Sequence, residues 1–233
     1  MCNRGDVKLR ALVVVPLVAV VSACALTPPG STPGASTAGE ASTAASVTVT
    51  CGFRVTGTPS RQVDPPSGKG VRATGTSLVT IQFSDAEVQV ELDHEAAPCA
   101  VHSFQSLASQ GWFNGTECHR LSTSRIFILQ CGDPTGTGRG GPGYTFDDEL
   151  AATTGYPAGV LAMANAGPDT NGSQFFFVYQ DSPLPIGYTV FGTFGRDGID
   201  VVADKAFQGH DDSYGDGTGR PNAPSEIIAV VAG

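Results

Sequence analysis

The residues richest in chemistry lie in "GPDTNGSQFFFVYQ", Gly167 to Gln180, where amides and hydroxyls run directly into three consecutive phenylalanines. Phe175 to Phe177 read as a buried strand, but burial leaves Asn165, Asn171 and Gln174 unexplained. Polar side chains at the mouth of an apolar strand predict a shallow pocket with hydrogen-bonding groups at its rim. Other stretches invite chemistry without meeting its requirements. "GDPTGTGRGGPG", Gly132 to Gly143, is rich enough in glycine for a phosphate cradle. It lacks the Gly-Lys-Ser/Thr ending of a P-loop, and no strong helix follows, so it reads as a mobile surface loop. "HDDSYGDG", His210 to Gly217, offers carboxylates for calcium. Without the closing Glu of an EF-hand loop or flanking helices, it reads as a solvated turn. His94, His102, His119 and His210 are scattered without ligand spacing, so neither a metal nor another cofactor is expected. Ser173 follows a glycine, but no G-x-S-x-G elbow surrounds it.

Several elements must position that pocket. "SLVTIQF" and "EVQVEL" alternate or cluster apolar residues across Ser84-Asp85 and predict a β-hairpin. "PCAVHSFQSLASQG" puts Val101, Phe104, Leu107 and Ala108 on one helical face, with Pro98 near the start and Gly111 as the stop. Short strands follow in "ECHRL", "IFILQC", "GVLAMA", "QFFFVY" and "TVFGTF". A second helix, "DGIDVVADKAFQG", spaces Ile199, Val202, Ala203 and Ala206 helically, and "SEIIAVVA" closes the chain as a strand. Eight short strands with only two helices predict an all-β dominated fold, a closed eight-stranded antiparallel barrel capped by the helices.

The chain has 233 residues, 40% of them hydrophobic, which fits one ordinary domain plus tails. A net charge of −9 with no basic cluster argues against nucleic acid as a partner. At the N-terminus Arg4, Lys8 and Arg10 precede an apolar run from Ala11 to Val21, too short to span a bilayer and typical of a secretory signal. The run ends in Val21-Ser22-Ala23-Cys24, which resembles a bacterial lipobox. Residues 1–23 are therefore expected to be removed and Cys24 to carry a lipid that anchors the chain to the membrane, outside the cytoplasm. Removal takes away three positive charges and one negative, so the charge of −9 becomes −11. From residue 24 to 46 the chain is almost all Ser, Thr, Pro, Gly and Ala and is expected to be an unfolded tether, spanning about 25 Å. Residues 47–74 read equally as an ordered extension or as more linker, and the folded domain is expected over 75–233. Cys51, Cys99, Cys118 and Cys131 remain as an even set in an exported chain and predict two disulfides, with three connectivities open.

In order and spacing, "FNGTECHR" with "IFILQCGD", then "GVLAMANAGPDTNGSQFF", then "YTVFGT" resemble the cyclophilin family of peptidyl-prolyl isomerases. The resemblance covers roughly residues 75–232, and "MANAGPDTNGSQFF" is its most specific part. The layout from lipobox through linker looks like the exported isomerase lipoproteins of actinobacteria. The resemblance implies a groove on the outer wall of the barrel and an enzyme that rotates Xaa-Pro bonds of exported proteins. A catalytic arginine falls on Arg120 and its glutamine partner on Gln130. Strand alternation supports that pair, because the two residues can face one side of adjacent strands. The proline pocket falls on Phe127, Ile128, Phe176 and Leu184, while Ala164, Asn165 and Gln174 would hold the substrate backbone.

Three departures stand out. "LSTSRIF" is two residues longer than the usual family turn. Tyr188 replaces the usual pocket histidine and keeps an aromatic wall with a polar tip. Pro183 stands where many members carry a tryptophan that contacts the inhibitor cyclosporin, so only weak cyclosporin binding is expected. A groove that binds proline-containing segments with poor turnover, as a binding module or holdase, is the alternative reading. A hydrolase would need a nucleophile–base pair, and none is evident.

Overall fold

The structure is a computed structural model that describes residues 47–233. The signal-like segment, Cys24 and the 24–46 tether lie outside the described residues. In chain order the elements begin with three two-residue strands, β1 (Thr48–Val49), β2 (Arg54–Val55) and β3 (Val71–Arg72). The hairpin β4 (Thr76–Phe83) and β5 (Glu87–Asp93) and the helix α1 (Pro98–Ser109) follow. Next come β6 (Thr116–Glu117), β7 (Arg120–Ser124), β8 (Ile126–Cys131), β9 (Tyr144–Thr145), β10 (Val160–Met163) and β11 (Phe175–Val178). The chain ends with β12 (Val190–Phe194), α2 (Arg196–Phe207), β13 (Thr218–Gly219) and β14 (Glu226–Ala232).

Alternation fixes which side chains enter the core. In β5, Val88, Val90 and Leu92 are buried while Glu87, Gln89 and Glu91 face out. The fully apolar β10 and β11 are buried on both faces, which the run of phenylalanines requires. Phe175 and Phe177 enter the main core, where Phe104, Phe113 and Phe175 meet with ring centroids 5.0 to 5.5 Å apart. Phe176, pointing the other way, belongs to a second apolar cluster.

Ten strands form one antiparallel sheet in the order β13-β7-β8-β11-β10-β12-β5-β4-β14-β6. The fold is therefore all-β dominated with two helices, but the expected closed ring of eight appears as a curled ten-stranded sheet whose ladder is open. The difference arises at Cys118 and His119, which separate β6 from β7. Cys118 N–H donates to Ser225 beside β14, whereas His119 N–H donates to Gln130 on β8, each at 3.0 Å. One bent run thus touches both ends of the sheet; counted as one strand, and with the outlying β13 set aside, it leaves eight.

Helix α1 has Pro98 in its first turn and no side-chain cap of its own. Its free amides are taken from far along the chain, Cys99 N–H and Ala100 N–H donating to the Glu149 carboxylate at 3.0 and 2.9 Å. Burial pushes the Glu149 carboxyl up, and the two amides oppose that shift. No helix among the described residues is long and apolar enough to cross a membrane.

Residues 47–74 form a strap rather than an unstructured segment. β1 pairs with β3, and β2 pairs with β9. The Arg61 guanidinium donates to the carbonyls of Gly111, Trp112 and Asn114 at 3.2, 2.7 and 2.7 Å. Of the three open connectivities, the structure has Cys51–Cys99, joining strap to α1, and Cys118–Cys131.

Candidate active site

The tight β7–β8 hairpin turns at Arg125, whose φ of 65° places it in the left-handed region. The hairpin ladder runs out to Ser124 opposite Ile126. Its register sets Arg120 opposite Gln130 and Ser122 opposite Ile128. Those residues share one face, so the pair expected from alternation is adjacent.

The Arg120 guanidinium, about a third exposed, is already held: Nε donates to Thr218 Oγ1 at 3.0 Å and Nη2 pairs with Asp216 Oδ2 at 3.1 Å. Thr218 in turn donates its hydroxyl to Asp216. Gln130 points along the groove, donating to Gln174 Oε1 at 2.8 Å, and Gln174 donates to the carbonyls of Gly138 and Gly140 at 3.0 and 2.9 Å. The Arg120–Gln130 neighbourhood is thus bracketed by two other elements, the turn before β13 and the glycine loop.

Beside it lies the second apolar cluster. Ile128 and Phe176 are buried there with Tyr156, Val160, Ala162 and Val178, and Ala164, Leu184 and Tyr188 pack against them half-buried. Phe176 and Tyr188 meet edge to face at 5.5 Å. The Tyr156 hydroxyl donates to Tyr188 O at 3.0 Å and accepts from Tyr188 N–H at 2.9 Å, so a buried phenol sets the position of the Tyr188 wall. Asn165 Nδ2 donates to Gly187 O at 2.7 Å and ties the 165–172 loop to the 181–188 segment. Asp148 secures that loop from behind, accepting from Asn171 Nδ2 and Asp169 N–H at 2.8 and 2.9 Å.

Of the residues expected in the pocket, Ile128, Phe176, Leu184 and Tyr188 come together, and Ala164, expected along the substrate backbone, packs against them. Phe127 does not. As the strand neighbour of Ile128 it points to the opposite face, where it packs on the main core with its ring edge to face with Tyr179 at 6.0 Å. Consecutive strand residues cannot both line one wall unless the strand bulges, and the β7–β8 ladder is regular.

Three cavities run along this surface. One of about 500 Å³ is lined by Gln130, Ala164, Asn165, Gln174, the glycine loop and strap residues 56–60. A second of about 370 Å³ holds His119, Arg120, Gln130, Thr137, Arg139 and Asp216. The third adjoins the second and contains Arg139 and Arg220. The strap's place beside the site and the hold of Asp216 and Thr218 on Arg120 escaped the sequence reading. Thr218 lies 98 residues from Arg120, and no spacing rule links them.

The glycine loop is tied down through Asp133, which accepts from Thr135 N–H and Gly140 N–H at 2.8 and 3.0 Å. Its preceding residue must be glycine. Gly132 has φ 92°, and a Cβ there would meet Ser173 O at 2.3 Å. Burial pushes the Asp133 carboxyl up, but the Thr135 and Gly140 donors and the nearby His119 together hold it below its ordinary value of 3.8. A depressed carboxylate stabilises the fold above its unfolded value and loses that contribution as pH falls through the folded one. Asp133→Asn should therefore unfold at lower denaturant than wild type near neutral pH, with the gap shrinking below pH 3.8. A gap unchanged down to about pH 2.5 would remove the carboxylate as the anchor.

The structure thus combines an antiparallel sheet with an apolar cluster on its outer wall, an arginine on one side of that cluster and amides on the other. The profile of the family described as "Cyclophilin type peptidyl-prolyl cis-trans isomerase/CLD" matches residues 78–231, and the chain belongs to this family. It is 45% identical over 170 residues to a probable peptidyl-prolyl cis-trans isomerase B of Mycobacterium leprae, covering 67% of this chain and 57% of the relative. It is 40% identical over 159 residues to a peptidyl-prolyl cis-trans isomerase of Schizosaccharomyces pombe, covering 66% of this chain and 97% of the relative. The chain spans under three fifths of the mycobacterial relatives it matches. A cyclophilin-type isomerase of Cryptosporidium parvum superposes with a TM-score of 0.61 at 32% identity, covering 68% of this chain and 98% of that one. The same parasite protein was also solved in the presence of the dipeptide Ala-Pro, and that structure superposes with a TM-score of 0.58.

Proposed function

We propose that this chain is a peptidyl-prolyl cis-trans isomerase that binds proline-containing segments of exported proteins. The observation that carries the reading is Arg120 opposite Gln130, beside the Ile128, Phe176, Leu184 and Tyr188 cluster. Rotation about an Xaa-Pro bond meets a barrier of about 20 kcal/mol because resonance keeps the amide planar. A proline ring seated in the cluster puts its nitrogen within reach of Arg120. A guanidinium donating there favours the twisted amide, in which the nitrogen lone pair is no longer delocalised. The catalysis is tighter binding of the twisted state, and no nucleophile is needed. Asn165 supports the backbone role: its side chain is spent on Gly187, and no hydrogen bond among the described residues occupies its main-chain N–H or C=O. An isomerase assay on a proline tetrapeptide tests the proposal; affinity without acceleration would leave a holdase. One observation favours that second reading, since Arg120 is already engaged through Nε by Thr218 and through Nη2 by Asp216, which restrains how its free N–H groups approach a peptide. In the same reading the fold is a closed eight-stranded barrel, supported by the bent run through Cys118 and His119.

Export and lipid anchoring at Cys24 complete the proposal. Their support is Val21-Ser22-Ala23-Cys24 behind a basic and apolar leader. Cys24→Ala should move the protein from the membrane to the soluble fraction; a wild type that is soluble and carries no lipid mass would end the idea.

Pro183 is exposed at the rim, beside Leu184. It offers no flat apolar surface and no N–H donor, so cyclosporin should bind weakly. Pro183→Trp is expected to tighten binding about tenfold, the effect of roughly 1.4 kcal/mol of aromatic contact. Unchanged affinity in calorimetry would show that this position does not control the inhibitor.

A further inference from the structure

The third cavity, about 410 Å³, is lined by Thr137 and Arg139 of the glycine loop, Ser213 and Tyr214 of the 210–217 turn, and Arg220. Its lining holds two guanidiniums, three hydroxyls and no carboxylate. Nearby carboxylates are committed elsewhere. Asp216 pairs with Arg120, Asp133 holds the glycine loop, and Asp211 accepts the main-chain N–H of Ser213 and of Arg220; Asp211 and Glu117 both feel the charge of Arg220, but neither forms an ion pair with it. Among the described residues neither the Arg139 nor the Arg220 side chain makes an ion pair or donates a hydrogen bond. The cavity shares Thr137, Arg139 and Tyr214 with the one that contains Arg120 and Gln130, so the two form one continuous groove. Tyr214 is fixed between them, its hydroxyl donating to His119 O at 3.1 Å.

We propose that this cavity is a subsite for a carboxylate side chain, so that the protein prefers substrates with Asp or Glu close to the reacting proline. The inference rests on the isomerase reading of the adjoining site. A carboxylate entering between Arg139 and Arg220 meets two planar forks that suit its geometry. Both arginines are exposed, so the attraction is screened by salt and modest.

The test compares proline peptides that differ only by Glu or Gln, placed one or two residues before or after the proline. Isomerisation is followed by exchange NMR, and affinity by titration of the same samples. At low ionic strength wild type should favour one Glu peptide about two- to five-fold in kcat/KM, a preference that vanishes near 1 M salt. Arg220→Gln should abolish most of it, and Arg220→Lys should retain part. Equal handling of Glu and Gln peptides at every position, or a preference that survives Arg220→Gln, overturns the subsite. If no peptide is isomerised the isomerase reading fails on its own, and the affinity ratio of the Glu and Gln peptides still decides the subsite.

Discussion

Arg120→Ala is expected to lower kcat/KM by about 10²–10³-fold, or roughly 3–4 kcal/mol of transition-state stabilisation. Ground-state peptide affinity should fall much less, because Ile128, Phe176, Leu184 and Tyr188 still form the apolar wall. Thermal stability should be nearly unchanged. Among the described residues the one ion pair lost is with Asp216, itself half exposed, and exposed pairs contribute about 0–1 kcal/mol. Arg120→Lys should fail as well, since an ammonium cannot reproduce the planar fork that donates to Thr218 through one nitrogen while leaving others to reach substrate. Rate, affinity and melting temperature are read on the same protein. A variant that melts normally and isomerises at the wild-type rate removes Arg120 from the mechanism.

Loss of the Cys51–Cys99 disulfide should be the most damaging change to stability. It closes a sequence separation of 48 residues, against 13 for Cys118–Cys131. Chain entropy assigns about 4 kcal/mol to the longer loop and about 3 kcal/mol to the shorter. The full contribution requires the strap to melt with the domain rather than peel from it. The strand pairs β1–β3 and β2–β9 and the three Arg61 hydrogen bonds favour joint melting. Cys51→Ser with Cys99→Ser is thus expected to lower the melting temperature by about 8–16 °C. The strap also lines the cavity that holds Asn165, so peptide affinity should weaken in the same variant. A melting point within about 2 °C of wild type would mean that the strap detaches independently.

What the sequence determined by itself is local. Period-two alternation marked β4 and β5, helical spacing marked α1 and α2, and the glycines marked the turns, because these patterns follow from which face each residue must bury. The Arg120–Gln130 pair was legible for the same reason: a tight hairpin converts sequence distance directly into register. The same rule already separates Phe127 from Ile128, which a residue-by-residue comparison with the family obscured. The two-residue strands β1, β2, β3, β6, β9 and β13 carry too few residues for a period and exist only because a neighbour completes their hydrogen bonds. The tertiary structure alone decided which cysteines pair, that Glu149 caps α1, that Asp216 and Thr218 hold Arg120, and that the strap and Arg220 border the groove. Each of these joins residues distant in sequence through contacts between side chains on different elements. Such contacts have no local signature, because they depend on how the sheet curls and brings its edges together.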